Sequence, residues 1–174
     1  MSSIAYNLSL IRGFVFDVDG VLSPSTIPTS PDGEPLRMVN IKDGYALQLA
    51  AKLGFPIAII TGGTSRGVAV RYHGLGIPDV YMGAGEKMEV LTEWLENREL
   101  RPEQVAYAGD DIPDYPPMRH VGLSVAPADA CPDILDIATY ISPVKGGYGV
   151  ARDLIEQVLR AQGLWMSDSK AFGW

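Results

Sequence analysis

Short apolar runs alternate with longer amphipathic segments along almost the whole chain, and this alternation limits the possible folds more than any other feature. The apolar runs are continuous and rich in β-branched residues, which is typical of strands buried on both faces. The amphipathic segments carry apolar residues at helical spacing. The predicted strands are residues 11–18, 56–60, 80–82, 105–108, 123–126 and 139–141, and the predicted helices are residues 43–53, 65–73, 86–97, 115–119, 131–137 and 149–161.

Strands that alternate with helices form parallel sheets that are covered by helices. The predicted fold class is therefore α/β, a Rossmann-like parallel sheet flanked by helices, and the length suits a single domain over residues 1–174. Residues 23–35 are rich in Ser, Pro, Thr and Gly. We predict a small β-hairpin insertion over residues 23–41, with its second strand at 36–41. Residues 162–174 form a tail without a clear period.

The composition and charge exclude several classes of partner. The formal net charge is -7 and no basic stripe is present, so nucleic acid is not a predicted partner. Residues 1–10 lack the pattern of a signal peptide, and the longest apolar run, near residues 55–60, is too short to span a membrane. Cys131 is the sole cysteine, which fits a reducing compartment. We therefore predict a cytoplasmic protein without a membrane partner.

Two acidic residues, Asp17 and Asp19, follow the first predicted strand and precede Gly20. Residues two apart in an extended chain point the same way, so the two carboxylates would repel each other. A divalent cation relieves such repulsion, and oxygen ligands suit Mg²⁺. The alternative is a strand-end turn whose acids are merely solvated.

A second acidic cluster, Asp110, Asp111 and Asp114, follows the predicted strand 105–108. Acids are favoured where helices begin, so helix capping is an alternative interpretation of Asp111 or Asp114. Capping accounts poorly for Asp110, which stands at the strand end. The carboxyl ends of parallel strands meet at one edge of a sheet. One of these acids is therefore predicted to complete a metal site with Asp17.

A hydroxyl, a glycine and a lysine complete the set of candidate site residues with a predicted role at the phosphate. Thr61 is followed by Gly62 at a predicted strand-to-helix turn, where free backbone N–H groups can bind phosphate. Lys87 stands at the start of a predicted helix, an unfavourable place for a cation unless an anion binds there. The alternatives are a Ser/Thr helix cap for the turn and a solvated surface charge for Lys87.

Along the chain these four elements occur in the order Asp17 with Asp19, then Thr61, then Lys87, then the cluster that begins at Asp110. In that order they resemble the motifs of the haloacid dehalogenase superfamily of phosphotransferases. The resemblance implies that Asp17 is the nucleophile, which forms an aspartyl-phosphate, and that Asp19 is the general acid and base. It also implies that Mg²⁺ is the cofactor. Its expected ligands are a carboxylate oxygen of Asp17, the backbone carbonyl of Asp19, and Asp110.

The same resemblance implies the roles of the remaining site residues. Thr61, Gly62 and Lys87 are expected to bind the phosphoryl group. Asp111 and Asp114 are expected to support the metal ligands. The chain is similar to the branch of the superfamily that lacks a large cap domain, and the supporting stretches are residues 14–22, 42–45, 58–62, 109–114, 121–130 and 146–149.

Members of this branch hydrolyse phosphate esters of sugar acids, so the implied substrate is a sugar-acid phosphate. An eight-carbon acid is the expected substrate and a nine-carbon acid is the alternative. The chain departs from many relatives at two positions near the expected substrate site. Gly63 stands where an arginine is common, and Tyr148 where an arginine or lysine is common.

A carboxylate on the substrate would need a cationic partner, and the sequence offers Arg66, Lys42 and Arg71. Arg66 is the first choice because it begins the helix after the phosphate turn. Each of these residues is alternatively an ordinary surface charge. Relatives in this branch pack their hairpins together, so the resemblance implies self-association as a homotetramer. The tail either folds over a site or frays.

Two functions of other classes remain open from the sequence. A phosphate-receiver signalling domain also uses a strand-end Asp, an acidic Mg²⁺ site, a hydroxyl and a lysine. Receivers place the acidic pair on the first strand and the phosphorylated Asp on a later one, whereas Asp17 and Asp19 here follow the first strand. A non-catalytic scaffold domain of the same fold is the other alternative.

Overall fold

The computed structural model of the protein describes residues 3–173, and these contain one parallel sheet of six strands. The strands lie in the order β3-β2-β1-β4-β5-β6, and every neighbouring pair is parallel. This arrangement confirms the predicted α/β fold. The strands are β1 (Gly13–Phe16), β2 (Ile57–Ile60), β3 (Asp79–Tyr81), β4 (Val105–Ala108), β5 (Leu123–Ala126) and β6 (Tyr140–Ile141).

Helices cover both faces of the sheet. Helices α1, α2 and α6 pack on one face, and α3, α4 and α5 pack on the other. Short 3₁₀ turns lie at Leu8–Leu10, Pro102–Gln104, Ile112–Asp114 and Ser169–Phe172. The helices are α1 (Ile41–Lys52), α2 (Arg66–Gly74), α3 (Lys87–Asn97), α4 (Tyr115–His120), α5 (Pro132–Ile137) and α6 (Val150–Ala161).

The continuous apolar runs are explained by burial on both faces of the central strands. In β1, Phe14 and Phe16 belong to the core beneath α1 and α6, whereas Val15 belongs to the core beneath α3. Successive side chains of a strand point to opposite faces, so both sets must be apolar. The same division applies to β2, where Ile59 and Ile60 face opposite cores.

The insertion differs from the hairpin that the sequence predicts. It contains one antiparallel bridge, between Thr29 and Pro35, and residues 36–41 do not form a strand. Proline has no N–H to donate to a ladder. The N–H of Leu36 donates to the carbonyl of Pro28 at 2.9 Å, but Pro28 has no N–H to donate in return, so the ladder ends there.

Helix α1 begins two residues earlier than predicted because Asn40 caps it. The Asn40 side chain accepts hydrogen bonds from the backbone N–H groups of Lys42 (2.9 Å) and Asp43 (3.2 Å). The Asp43 carboxylate in turn caps α6, since its Oδ1 accepts from the backbone N–H of Arg152 at 2.6 Å. One acid therefore joins the starts of two packed helices.

The loops at the carboxyl edge of the sheet pack against each other through glycine backbones. Gly147 donates its N–H to the carbonyl of Val21 at 2.8 Å. A Cβ on Gly146 would collide with the carbonyl oxygen of Gly20, so only a glycine permits this approach. The segment before α6 is thereby fixed against the loop that follows β1.

The tail folds along α1. The Tyr45 hydroxyl donates to the carbonyl of Ala171 at 2.5 Å, and Trp165 packs edge-on against the Tyr45 ring. The guanidinium of Arg152 lies 4.6 Å from the centre of the Trp165 ring. These contacts fasten the described part of the tail to the helical layer; Trp174 lies outside the described residues.

Within residues 3–173, none of the helices has both the length and the apolar character that crossing a bilayer requires. Cys131 is a free cysteine, half-buried before α5. The cytoplasmic location stays a prediction from the sequence.

Asp43 gives the fold a specific dependence on pH. Burial raises the pKa of Asp43 to about 6, against an ordinary value of 3.8, and the hydrogen bond from Arg152 only partly opposes this. Its Oδ2 is buried and makes no hydrogen bond within the described part of the chain. The folded protein therefore binds this proton more tightly than the unfolded chain does. The protonated form stabilises the fold at low pH, and that contribution is lost as the pH rises from about 4 through about 6.

We expect Asp43→Asn to remove this pH dependence. Relative to wild type, the free energy of unfolding of the variant should rise by about 1–2 kcal/mol between about pH 5 and about pH 7.5. Urea denaturation at both pH values, with Mg²⁺ present throughout, measures the difference. Asp136→Asn, at an exposed position in α5, is the matched control. A constant difference between Asp43→Asn and wild type would contradict a raised pKa for Asp43.

Candidate active site

The candidate site lies where the connections from the sheet diverge. From β1 the chain passes to β2 and β3 on one side, and β4 then lies on the other side of β1. Ligands of open α/β sheets bind at such a switch point, outside the carboxyl ends of the strands. Phe16 of β1 pairs with Ile59 of β2 and with Ala108 of β4, so the residues that follow these strands meet.

An open cavity of about 460 Å³ occupies this place. Eight of the thirteen residues that line it have polar or charged side chains, and the lining comes from the segments after β1, β2, β3 and β4. The lining residues are Asp17, Asp19, Ser25, Thr61, Gly62, Gly63, Ala84, Gly85, Lys87, Asp110, Asp111, Pro113 and Asp114. A larger cleft of about 600 Å³ lies elsewhere, around Arg12, Phe55 and Gln162, and its lining includes no acidic residue in the described range.

Lys87 is buried between two carboxylates. Its Nζ lies 3.0 Å from Oδ1 of Asp17 and 2.8 Å from Oδ1 of Asp114, and its side chain is 5% exposed. Burial opposes the charge of Lys87, but the two carboxylates outweigh burial and raise its pKa. The first residue of α3 thus places a fixed positive charge beside Asp17.

Each carboxylate oxygen of Asp114 accepts two hydrogen bonds. Its Oδ1 accepts from Lys87 and from the Tyr107 hydroxyl, the latter at 2.8 Å. Its Oδ2 accepts from the backbone N–H groups of Asp110 (3.1 Å) and Asp111 (3.5 Å). Asp114 therefore shapes the loop after β4 and holds Lys87. Asp111 is exposed at the start of the 3₁₀ turn, the capping position that the sequence left open for it.

Asp17 and Asp110 carry the unsatisfied charge of the site. Burial, and then the charge of Asp114, raises the pKa of Asp17 to about 7, although Lys87 opposes the shift. Burial, and then the charge of Asp17, raises the pKa of Asp110 to about 8. Oδ1 of Asp110 is buried and lacks a hydrogen-bond partner among residues 3–173. Burial and the neighbouring acids thus both oppose the charged forms of Asp17 and Asp110.

A divalent cation fits this arrangement. Asp17, Asp110 and Asp114 each offer a carboxylate oxygen within 4.8 Å of the others. Of the three, Asp110 has the orphaned oxygen, whereas Asp114 is occupied by its own donors. A hard cation with oxygen ligands would supply the missing positive charge. The donor set therefore suits Mg²⁺, and Asp17 and Asp110 are the two carboxylates that would be free to bind it.

Gly20 allows the close approach of Asp110. Its φ of +87° lies in the left-handed region, and a Cβ there would collide with the carboxylate of Asp110. The glycine of the first acidic motif is therefore required by both conformation and space.

Thr61 lines the floor of the cavity. It is buried, and its Oγ1 accepts a hydrogen bond from the backbone N–H of Gly63 at 3.2 Å. Ser65, not Thr61, is the residue at the N-terminal cap of α2, and its side chain makes no capping bond. The turn therefore does not act as a side-chain helix cap.

Two of the predicted substrate-binding residues do not line the cavity. Lys42 and Arg66 are exposed at the starts of α1 and α2, and neither lines the cavity. Arg71 lies against α1, close to Gly44. No described residue of the tail lines the cavity either.

Arg37 is the neighbour of the site that the sequence did not reveal. Its Nε and Nη2 donate to Oδ1 and Oδ2 of Asp19, each at 2.8 Å. Arg37 belongs to the insertion, in a stretch that the sequence pattern describes only as a strand. No local motif marks it, because the pairing depends on how the insertion returns to the site.

Comparison with known proteins identifies the family of this chain. A profile described as haloacid dehalogenase-like hydrolase matches residues 60–154, more than half of the chain. The chain belongs to the haloacid dehalogenase-like hydrolases, which confirms the resemblance seen in its motifs.

The similar proteins within that family have a more specific description than the family itself. The chain is 42% identical over 153 residues to the 3-deoxy-D-manno-octulosonate 8-phosphate phosphatase of Escherichia coli strain K12, covering 88% of this chain and 81% of the relative. The crystal structure of the Yersinia pestis phosphatase of that name superposes with a TM-score of 0.87 at 40% identity, covering 91% of this chain and 85% of that one. The Moraxella catarrhalis phosphatase, in complex with magnesium ion, phosphate ion and KDO, superposes with a TM-score of 0.86 at 31% identity, covering 90% of each chain.

We expect Mg²⁺ to stabilise the protein through Asp110. A concentration about 100-fold above Kd should raise the Tm by about 5–10 °C. Asp110→Asn should abolish this rise, because the amide replaces the charged oxygen that lacks a partner. Thermal denaturation with and without Mg²⁺ measures the shift, and Asp136→Asn is again the control. An Asp110→Asn protein that responds like wild type would place the metal elsewhere.

Proposed function

We propose that this protein is a Mg²⁺-dependent phosphatase whose substrate is 3-deoxy-D-manno-octulosonate 8-phosphate. The observation that carries the proposal is the buried ion pair of Lys87 with Asp17, beside Asp110, in an open cavity at the switch point of the sheet. The substrate is inferred from the relatives named above. A nine-carbon 2-keto-3-deoxy sugar acid 9-phosphate is the alternative substrate.

Asp17 is the proposed nucleophile. One carboxylate oxygen lies against Lys87, and the backbone N–H of Asp17 donates to the carbonyl of Ala108 at 3.0 Å, so the residue is fixed in position. In the first half-reaction an Asp17 oxygen bonds to phosphorus and the ester bond breaks. Asp19 gives a proton to the departing alcohol oxygen.

In the second half-reaction water regenerates the enzyme. Asp19 takes a proton from a water molecule, which attacks the phosphorus of the aspartyl-phosphate. The bond between phosphorus and Asp17 breaks, and inorganic phosphate leaves. The same carboxyl thus acts first as acid and then as base.

The remaining residues would stabilise the charge on the transferring group. Phosphoryl transfer leaves negative charge on three equatorial oxygens, so fixed donors and cations supply most of the catalysis. Lys87 would provide the permanent cation, and Thr61 with Gly62 would provide hydrogen-bond donors. Mg²⁺, held by Asp17, Asp110 and the backbone carbonyl of Asp19, would supply further positive charge when bound.

The strand order argues against a phosphate-receiver domain. Receivers share the flavodoxin-like order 2-1-3-4-5, whereas this sheet has the order β3-β2-β1-β4-β5-β6. A non-catalytic scaffold would have no need for Lys87 and two acids with raised pKa values in one cavity. The enzyme remains the best-supported function.

We expect phosphate release in the presence of Mg²⁺ from a panel of four monoesters. The panel holds the eight-carbon 8-phosphate, the nine-carbon 9-phosphate, a hexose 6-phosphate and p-nitrophenyl phosphate. A preference of about 100-fold in kcat/KM for the eight-carbon acid corresponds to about 2.7 kcal/mol of transition-state discrimination. Asp17→Asn should abolish turnover, because an amide is a poor nucleophile of the same shape.

Other outcomes of this panel are equally informative. A preference for the nine-carbon acid would keep the mechanism and change the substrate. Retention of more than about a tenth of the wild-type kcat by Asp17→Asn would remove Asp17 from its role. Asp136→Asn should retain wild-type activity, and no hydrolysis of any ester by wild type would refute the phosphatase.

We also propose that the protein forms a homotetramer through the insertion. Four large apolar side chains are exposed on one short segment beside the open cavity, an unusual concentration for a free surface. A neighbouring subunit on this segment would cover the cavity. The four residues are Leu36, Met38, Val39 and Ile41, with 49%, 53%, 51% and 70% of their surfaces exposed.

Light scattering coupled to gel filtration should give a mass four times the 18.8 kDa of the chain. The double variant Met38→Glu/Ile41→Glu should dissociate, because four subunits would each bring two buried charges to the interface. Val70→Glu, an exposed apolar position on α2 outside the insertion, is the control. A monomeric wild type with full activity would contradict the proposal.

A further inference from the structure

The contact between Arg37 and Asp19 is a bidentate ion pair. Two nitrogens of one guanidinium donate in parallel to the two oxygens of one carboxylate, both at 2.8 Å. This geometry fixes the orientation of both groups more firmly than a single hydrogen bond or a lysine would. The Arg37 side chain is 10% exposed, whereas the Asp19 side chain is 42% exposed. The buried Arg37 therefore fixes the orientation of the accessible Asp19 carboxylate.

The backbone around Arg37 is anchored to the loop after β1. The N–H of Met38 donates to Oγ of Ser23 at 3.1 Å, and Ser23 is buried. The insertion leaves the site near Ser23 and returns to it at Arg37. Its position is thus set by the same loop that carries Asp19.

Gly63 provides the space in which the guanidinium lies. A Cβ on Gly63 would collide with Nη2 of Arg37 and would lie 3.2 Å from its Cζ. The backbone of Gly63 is outside the left-handed region, so conformation does not demand glycine there. Because residue 63 has no side chain, the guanidinium of Arg37 can lie against the Thr61–Gly63 turn.

The geometry assigns Arg37 as the positioning residue for the acid–base group Asp19, with Gly63 as the position that makes room for it. This inference rests on the proposed function, in which Asp19 protonates the departing oxygen. An exposed aspartate without a partner would sample several rotamers, and a displacement of about 1 Å in a reacting group costs about 100-fold in rate. The two parallel bonds select one orientation before the substrate arrives.

Arg37 acts through Asp19 and does not bind the substrate itself. Its Nε and Nη2 are occupied by Asp19. Its Nη1 is buried and finds no hydrogen-bond partner in the described chain. One N–H of Nε and one of Nη2 are therefore committed to Asp19, and Arg37 is not among the described residues that line the cavity.

The test compares two leaving groups. An alkyl alcohol needs a proton as it departs, whereas p-nitrophenolate departs without one. Arg37→Gln should lower kcat/KM about 30- to 100-fold for the best alkyl ester of the panel and less than about 3-fold for p-nitrophenyl phosphate. Both esters are assayed with one preparation, so loss of folded protein affects both rates equally and cancels in their ratio.

Two further variants separate positioning from substrate binding. In an Asp19→Asn background, adding Arg37→Gln should cause no further loss, because Arg37 would have nothing left to position. Gly63→Ala should reproduce the selective loss for the alkyl ester with Arg37 intact. Gly67→Ala is its matched control, because a Cβ there meets nothing closer than Oγ of Ser65 at 3.6 Å.

Equal losses for the two esters, or an additive loss in the Asp19→Asn background, would overturn the inference and make Arg37 a substrate-binding or structural residue. An inactive wild type would overturn it together with the proposed function. An active wild type with an unselective Arg37→Gln would overturn the inference alone.

Discussion

The placement of one buried lysine between two carboxylates determines most of what this site can be. Lys87 is the first residue of α3, so the position of that helix determines where the positive charge lies relative to Asp17. Removing one partner from such a buried cluster costs about 3–5 kcal/mol, because the others are left uncompensated. Asp114 balances the lysine and simultaneously fixes the loop after β4. Stability and chemistry therefore share the same three side chains, and the third acid, Asp110, is left for a cation.

Much of the fold follows from the sequence because its signals are local. A strand buried on both faces must be apolar throughout, and β1 and β2 satisfy that condition without reference to the rest of the chain. Asp17 and Asp110 meet because parallel strands end at one edge, which also follows from the pattern. The hairpin of the insertion is shorter than predicted and lacks its second strand at 36–41, because Pro28 has no N–H with which to continue the ladder.

The rest of the site depends on the path of the chain, which no local pattern carries. Arg37 reaches Asp19 only because residues 23–41 return to the loop after β1. Arg66 was favoured for its place after the phosphate turn, yet a side chain at a helix start can point to solvent, as it does here. The roles of the site residues and the assembly of subunits depend on ligands and on partner subunits, which a local sequence pattern does not encode.

The contact of Gly146 with Gly20 has a consequence for how sequence variation in this protein should be interpreted. Gly146 is absent from the cavity wall, but any side chain there would push the carbonyl of Gly20, whose Cα abuts the Asp110 carboxylate. A side chain at residue 146 would therefore displace the backbone of Gly20 and, through it, the carboxylate of Asp110, which would weaken the binding of a metal ion there. A survey of sequence variants that scores positions by their distance from the ligand would misjudge this glycine as a neutral loop residue.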